Sequence, residues 1–555
     1  MEDTYLLNHD CMIECARIMT DRIILFRLSC CMKINRHAFT SSAIFIPNDK
    51  YQANDVKKFT HVHVLNLTKT NKFIRLDYFK DLENLTVSKW NTRFCMYDPL
   101  KLTYLDNLVD KNDREGYVTN LKTYNNLIYL NHPFIQEIKT LTNLRSLVCI
   151  FRDKIEDILN LNLLSNLTKL CLKLHTLQDT CIQDITISKC SKLIELRAQG
   201  INFSKKKIHG DLLKCLDLNN SKNLHFESLK NIQVICFQSI DNIRILNEDN
   251  SYHSLTGLKI NMKDRILMNF SRMVNLKYLD MSNYQQSPKV NLSFLISLEK
   301  LYFLHNTRNN INIVNLINLS SLYFINHGDN NMHDYKIELP RNIQKMFFQD
   351  YSRKDLTCLD TWTHNILIQT NSMQHLTSLS VQYVLFDEHK LNLIRTTRLN
   401  KLNLRKCRIG HFNNFINLKH LILDEMDMNN VNTRYLSTLK KLTMKNCEHV
   451  AKNKLTEFRD LDNLRLIDKE WKIKIGCMSK LTSLSLAIEL SNLDIELEKI
   501  YKLKSLTVDN INLFLKLCLN RFPISLKDIY IKMNKSESGH AYKLHMDDIK
   551  LHFVE

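Results

Sequence analysis

Residues 274–306 contain VNLKYLDMSN and, a dozen residues later, ISLEKLYFLHN. Leu276, Leu279 and Met281 recur as Leu298, Leu301 and Phe303, an offset of 22 residues. In L-x-x-L-x-L the last two apolar residues are two apart, which places them on one side of an extended strand. A unit this short cannot enclose its own apolar side. It must stack on further copies of itself, so a sustained period of this length dictates a solenoid.

The period is sustained. Anchors fall at Val62, Leu82, Leu102, Tyr124, Leu144, Leu167, Leu193 and Leu213, and continue at the same pitch to Leu526, about 22 in all. Spacing and core together resemble the leucine-rich repeat. The fold class expected is an α/β leucine-rich-repeat solenoid, with a curved parallel sheet on the concave face and short helical or extended segments on the convex side. A small all-α cap precedes it. Stacked coils add strands at ~4.8 Å intervals. Ile/Leu-x-Asn-Leu, as in Ile317-Asn318-Leu319 and Ile416-Asn417-Leu418, marks the approach to the strand. Three residues past the core stand Asn306, Cys407 and Cys447, or elsewhere His175, Ser221 and Met426, an irregular ladder suited to bonding loop backbone between coils. The intervals Leu167 to Leu193 and Ile343 to Leu376 are long, and the second carries Trp362. A long repeat or a bend is expected near 350–375. LHFVE, after Asp547-Asp548, fits a closing strand.

Composition narrows the chemistry. The chain has 555 residues, 44% hydrophobic and 24% charged, with only 8 Gly and 6 Pro. Gly-rich phosphate loops and Pro-rich linkers are therefore nearly excluded. Lys and Arg exceed Asp and Glu by 19 charges. That suits an acidic partner or simply a basic solvated surface; no long Lys/Arg block points to nucleic acid. No run approaches the ~20 apolar residues of a membrane span. The 16 cysteines show no disulfide spacing, and Cys171, Cys215, Cys236, Cys407 and Cys447 sit inside repeats, where a free thiol acts as a small buried hydrophobe. With no basic-then-apolar leader at the start, the expected setting is reducing, cytoplasm or nucleus.

Residues 1–45 do not follow the period, and 46–60 connect them to the array at 61–555. Met12, Ile13 and Ala16 have helical spacing, and Thr20-Asp21 can cap a second helix carrying Ile24, Leu25, Leu28, Cys31 and Ile34 on one face. Helices here would cover the first coil. The segment also resembles an F-box. Leu7, Ile13, Ile18, Thr20-Asp21, Leu25, Leu28, Cys31, Lys33 and Ile34 fall in that motif's places, while Asn8 and Ile34 stand where Pro and an aromatic are usual. The resemblance implies docking of a Skp1-type adaptor through Leu7, Ile13, Ile18, Leu25, Leu28, Cys31 and Ile34. It also implies a substrate receptor of a cullin-based ubiquitin ligase, monomeric outside that complex. A leucine-rich scaffold or inhibitor with a plain helical cap is the other reading.

No catalytic, cofactor or metal constellation emerges. His61 and His63 lack a third ligand at metal spacing, and Cys11, Cys15, Cys30 and Cys31 lie on apolar helical faces. What can be derived is the outward column of the sheet. Tyr302, Tyr323 and Phe347 occupy the same position in successive repeats, with Tyr278 one column aside. Such a stripe either anchors a protein partner or stabilises the sheet by stacking. Lys401, Arg405, His420, Lys441 and Lys445 project from the same face, suited to an acidic or phosphorylated segment or to solubility alone.

Overall fold

The computed structural model describes residues 44–45, 64–66, 81–87, 101–107, 126–131, 141–151, 159–174, 183–203, 208–222, 226–238, 252–261, 270–282, 291–305, 313–326, 338–350, 373–383 and 398–407. Beyond these it describes 412, 415–429, 431, 436–448, 455, 458, 460–468, 473–475, 478–488, 493–495, 497–509, 513–514, 517, 522–532 and 549–554. The chain divides into two compact units, Met1–Leu258 and Lys259–Glu555.

In the first unit, Ile44–Phe45 pairs with Val64–Asn66, and Asn84–Val87, Tyr104–Asn107 and Tyr129–Asn131 follow. Ser146–Phe151, Lys169–Leu174, Glu195–Gln199, Cys215–Asn219 and Val234–Gln238 complete the order. Every pairing is parallel between successive coils. Among the described residues the ladder begins at Ile44, and the expected array boundary is 61. On the return side Leu159–Asn160, Gln183–Thr186 and Ile201–Phe203 form a second small parallel sheet. Some return paths are therefore extended.

The second unit repeats the plan. Tyr278–Met281 pairs with Lys300–His305, then Ser321–Asn326, Lys345–Asp350 and Ser378–Gln382. Lys401–Arg405, His420–Asp424, Lys441–Lys445 and Asn463–Asp468 continue it. Ser483–Ile488, Ser505–Val508, Asp528–Lys532 and the closing Lys550–Val554 end it. Across the long interval, Lys345 pairs directly with Ser378, so the sheet keeps its register there. Helical structure among the described residues is sparse: short turns such as Phe270–Arg272 and Leu497–Lys499, and α-helical Leu513, Phe514 and Leu517. The expected all-α cap falls on residues outside those described.

The packing of a coil follows from its leucines. Leu292, Leu295 and Leu298 are three apart and all fully buried. Leu295 N–H donates to the Leu292 carbonyl and Leu298 N–H to the Leu295 carbonyl, at 2.9 and 3.0 Å. These tight turns aim every third side chain inward. Leu301 and Phe303 then enter the same interior from the strand. Each fully buried side chain contributes roughly 1.5–3 kcal/mol, so the apolar columns dominate stability. One anchor differs from the sequence reading. Leu127, not Tyr124, takes the first core place, because Leu127 and Leu130 are both buried and Tyr129 pairs with Tyr104 and Ser146.

Polar ladders tie the coils. The Asn preceding the anchor donates its amide to the coil before: Asn318 to the Ile296 carbonyl and Asn342 to the Ile317 carbonyl, both at 2.8 Å. Past the strand, Gly200, Asn220, Tyr383, Lys406, Glu425 and Asn446 adopt positive φ. The N–H of each bonds to a carbonyl at the end of the next coil's strand, the last one except for Asn446, which reaches the penultimate Ile467; Lys406 N–H reaches Asp424 at 2.9 Å. One residue further, Ser221, Cys407 and Cys447 each donate to two carbonyls, one two residues back and one on the previous coil.

Candidate protein-binding face

A parallel sheet in perfect register turns sequence columns into physical ones. Asp280, Tyr302, Tyr323 and Phe347 are direct neighbours on consecutive strands of the second unit. Tyr302 and Tyr323 stack at 4.0 Å between ring centroids, with planes 7° apart. Tyr278 tilts against Tyr302 at 5.5 Å, and Phe347 against Tyr323 at 5.8 Å. The four rings are half-buried, so their outer edges face solvent. Burial, reinforced by a hydrogen bond with Tyr323, pushes the Tyr302 phenol above its usual range. The Tyr302 phenol therefore stays neutral near pH 7 and can donate or accept.

The stripe has a firm end and a firm floor. Asp280 is 6% exposed and accepts bonds from the Ser282 amide and hydroxyl at 3.0 and 2.6 Å. The Tyr278 hydroxyl donates to it at 3.4 Å, and Lys259 lies 3.7 Å away. On the inner side Phe303, Phe324 and Phe348 form a parallel aromatic column at 5.6 and 5.9 Å. Of this inner column the sequence reading had placed only Phe303 in the core, and its role as a support for the outer column follows from the register.

The basic residues separate into two columns with different environments. Lys401, His420 and Lys441 are adjacent in one column. Burial, then the neighbouring lysine charges, lower the His420 pKa. Like charges at strand spacing repel, and no carboxylate among the described residues forms an ion pair with either lysine. Arg405 and Lys445 stand four residues along, on either side of Asp424. Arg405 lies 3.4 Å from Asp424 and 2.8 Å from Glu425, and Lys445 is 3.7 Å from Asp424. Lys406 joins Glu425 at 2.8 Å and sits 5.4 Å from the Tyr383 ring centre. The Lys406 contact, aided by Arg405, holds the Glu425 carboxyl below its usual range. Arg405 and Lys445 are thus engaged within the fold, while Lys401 and Lys441 remain available. Sequence alone missed this, since the neutralising acids come from the next coil. Asp424 Oδ1 is covered and has no hydrogen-bond partner among the described residues.

The remaining residues singled out by sequence fall elsewhere. Leu7, Ile13, Ile18, Leu25, Leu28, Cys31 and Ile34, like His61, His63 and the N-terminal cysteines, lie outside the described residues. Cys407 and Cys447 are buried as expected, but Cys171, Cys215 and Cys236 are half-buried on the sheet's outer face. Strand parity explains this: Cys171 lies between the inward Leu170 and Leu172. Among the described residues no helix is long and apolar enough to cross a membrane, and no group of His, Cys, Asp or Glu is placed to hold a metal.

No family model matches this chain, and no curated protein matches it. Solved structures with some likeness include TLR13 in complex with ssRNA13, at 15% identity over 89% of this chain and 74% of that one, TM-score 0.38. A leucine-rich-repeat protein of Leptospira interrogans is similar at 15% identity over 77% of this chain and 97% of its own, TM-score 0.38. The internalin InlF of Listeria monocytogenes shares 18% identity over 68% and 84%, TM-score 0.24. The leucine-rich architecture of the present chain rests on its own spacing and ladder, and these superpositions add nothing to it.

Proposed function

We propose that the chain is a non-catalytic, protein-binding solenoid whose second unit presents its exposed sheet face to an acidic or phosphorylated protein segment. The observation that carries this reading is the in-register aromatic column Tyr302–Tyr323–Phe347. It ends two strands, ~10 Å, before Lys401, which opens the Lys401–His420–Lys441 run. Half-buried, pre-stacked rings lose little side-chain freedom on binding, which is why aromatics serve as interface anchors. Unpaired lysines beside them would gain charge-assisted bonds from carboxylates or phosphates. An array of acidic and phosphorylated peptides tests this. Bound peptides should be lost when Tyr302→Ala/Tyr323→Ala is substituted; retention of every one would overturn the site.

The finer reading is that the chain is a substrate-recognition subunit of a Skp1–cullin–F-box ligase. It is supported by the F-box-like residues Leu7, Ile13, Ile18, Leu25, Leu28, Cys31 and Ile34, placed before the repeats. Purified Skp1 should be retained by the full chain and released by Leu25→Asp/Leu28→Asp. If the unaltered chain retains none, the ligase reading fails and a scaffold or inhibitor role stands in its place. If the double variant still binds, the docking surface is misplaced.

A further inference from the structure

The first unit carries a second kind of surface, along the turns that lead into its strands. Here an open trough of about 700 Å³ crosses successive coils. Its floor is a chain of backbone bonds. Ile128 N–H donates to the Thr103 carbonyl, Arg145 N–H to Ile128, and Thr168 N–H to Arg145, at 2.8, 2.9 and 2.8 Å. These floor carbonyls are consumed, so what the trough offers a ligand is its side chains.

The charged side chains among them are mostly cationic, with Glu83 adding one carboxylate on the first coil. Lys101, Arg145 and Lys192 all line the trough. Arg145 lies two coils beyond Lys101, and Lys192 two coils beyond Arg145, with Lys101 and Lys192 three residues before their strands and Arg145 one residue before its own. Two strand spacings are about 10 Å. Arg145 forms no ion pair with any described residue. Lys192 reaches only a neutral partner, donating to Asn166 Oδ1 at 2.7 Å. Lys101 is joined to Asp81 in a solvent-exposed pair of the kind that exchanges readily. Asn166 is itself fixed by its amide bond to the Thr142 carbonyl, so the Lys192 head is held over the trough. Half-exposed Ile128 supplies an apolar patch among the cations.

A segment in the extended polyproline II conformation has three residues per turn and advances about 3.1 Å per residue, so every third side chain returns to the same face after about 9 Å. We infer that this trough binds an extended protein segment with acidic residues at every third position, running across the coils and pairing with Lys101, Arg145 and Lys192. The site is independent of the sheet face of the second unit.

The test uses the full chain and two fluorescein-labelled peptides of equal length and charge. One has glutamates at every third position; in the other the same glutamates are contiguous. Fluorescence anisotropy should show the spaced peptide binding at least about tenfold more tightly. Arg145→Glu should weaken it by about tenfold or more with no change in thermal midpoint, whereas Lys401→Glu/Lys441→Glu should leave it unchanged. Equal binding of both peptides would reduce the trough to unspecific attraction and overturn the proposal. Loss of the spaced peptide in the Lys401/Lys441 variant but not in Arg145→Glu would also overturn it. Neither result would touch the reading of the sheet face, which the Tyr302/Tyr323 variant tests separately.

Discussion

The same column of the sheet is filled in opposite ways in the two units. In the first it reads Lys169, Glu195, Cys215 on consecutive strands. Glu195 lies 3.9 Å from Lys169 and 2.6 Å from Arg197, so the acid answers both cations. In the second it reads Lys401, His420, Lys441, with no acid in the run. A set of charges that is complete within the fold has little to gain from a partner. One held together against its own repulsion gains when an anion arrives. The contrast is the reason the proposed sheet-face site is assigned to the second unit.

Reversing the charges should give the largest effect. Lys401→Glu/Lys441→Glu should weaken an acidic peptide selected on the array by on the order of a hundredfold, about 2.7 kcal/mol, measured by titration calorimetry. Glu195→Gln, in the first unit, should leave that affinity unaltered. Equal losses would erase the distinction.

A sharper division lies within the second unit. Arg405→Ala removes a side chain already engaged with Asp424 and Glu425 and should lower stability by about 0.5–1 kcal/mol in urea unfolding. Lys401→Ala should be nearly neutral in stability yet weaken the acidic peptide severalfold. The reverse pattern would mean that the two columns have been assigned the wrong roles.

The smallest effect is a pH dependence. The folded-state pKa of His420 is lowered, so the fold favours the neutral ring. Its stabilising share is complete above the unfolded value of about 6.5 and is lost as pH falls through the folded pKa. A bound anion favours the charged ring instead. Acidification from about pH 7.5 to about 5.5 should therefore tighten the acidic peptide by a few-fold. His420→Gln should flatten that slope; an undiminished slope would assign the proton elsewhere.

How much of this was legible in the sequence differs by kind of contact. The apolar columns were, because a one-dimensional period maps onto one inward side. The outer aromatic stripe was too, since Tyr302, Tyr323 and Phe347 align once the period is set. Tyr124 was misjudged because Tyr124–Leu127 and Leu127–Leu130 have equal spacing, and only pairing with neighbouring strands chooses between them. Cys171, Cys215 and Cys236 were read by residue type where strand parity decides exposure. The fates of Arg405 and Lys445 were hidden because Asp424 lies a whole coil away, and the trough because it collects residues from successive turns.

The direct pairing of Lys345 with Ser378 has a practical meaning. The sheet does not record how much chain intervenes between one strand and the next. Loop closure becomes costlier only slowly, by about 0.6 kcal/mol for each doubling of length. A grafted epitope or reporter inserted between two such strands is therefore expected to cost little, and the ladder on either side can stay intact.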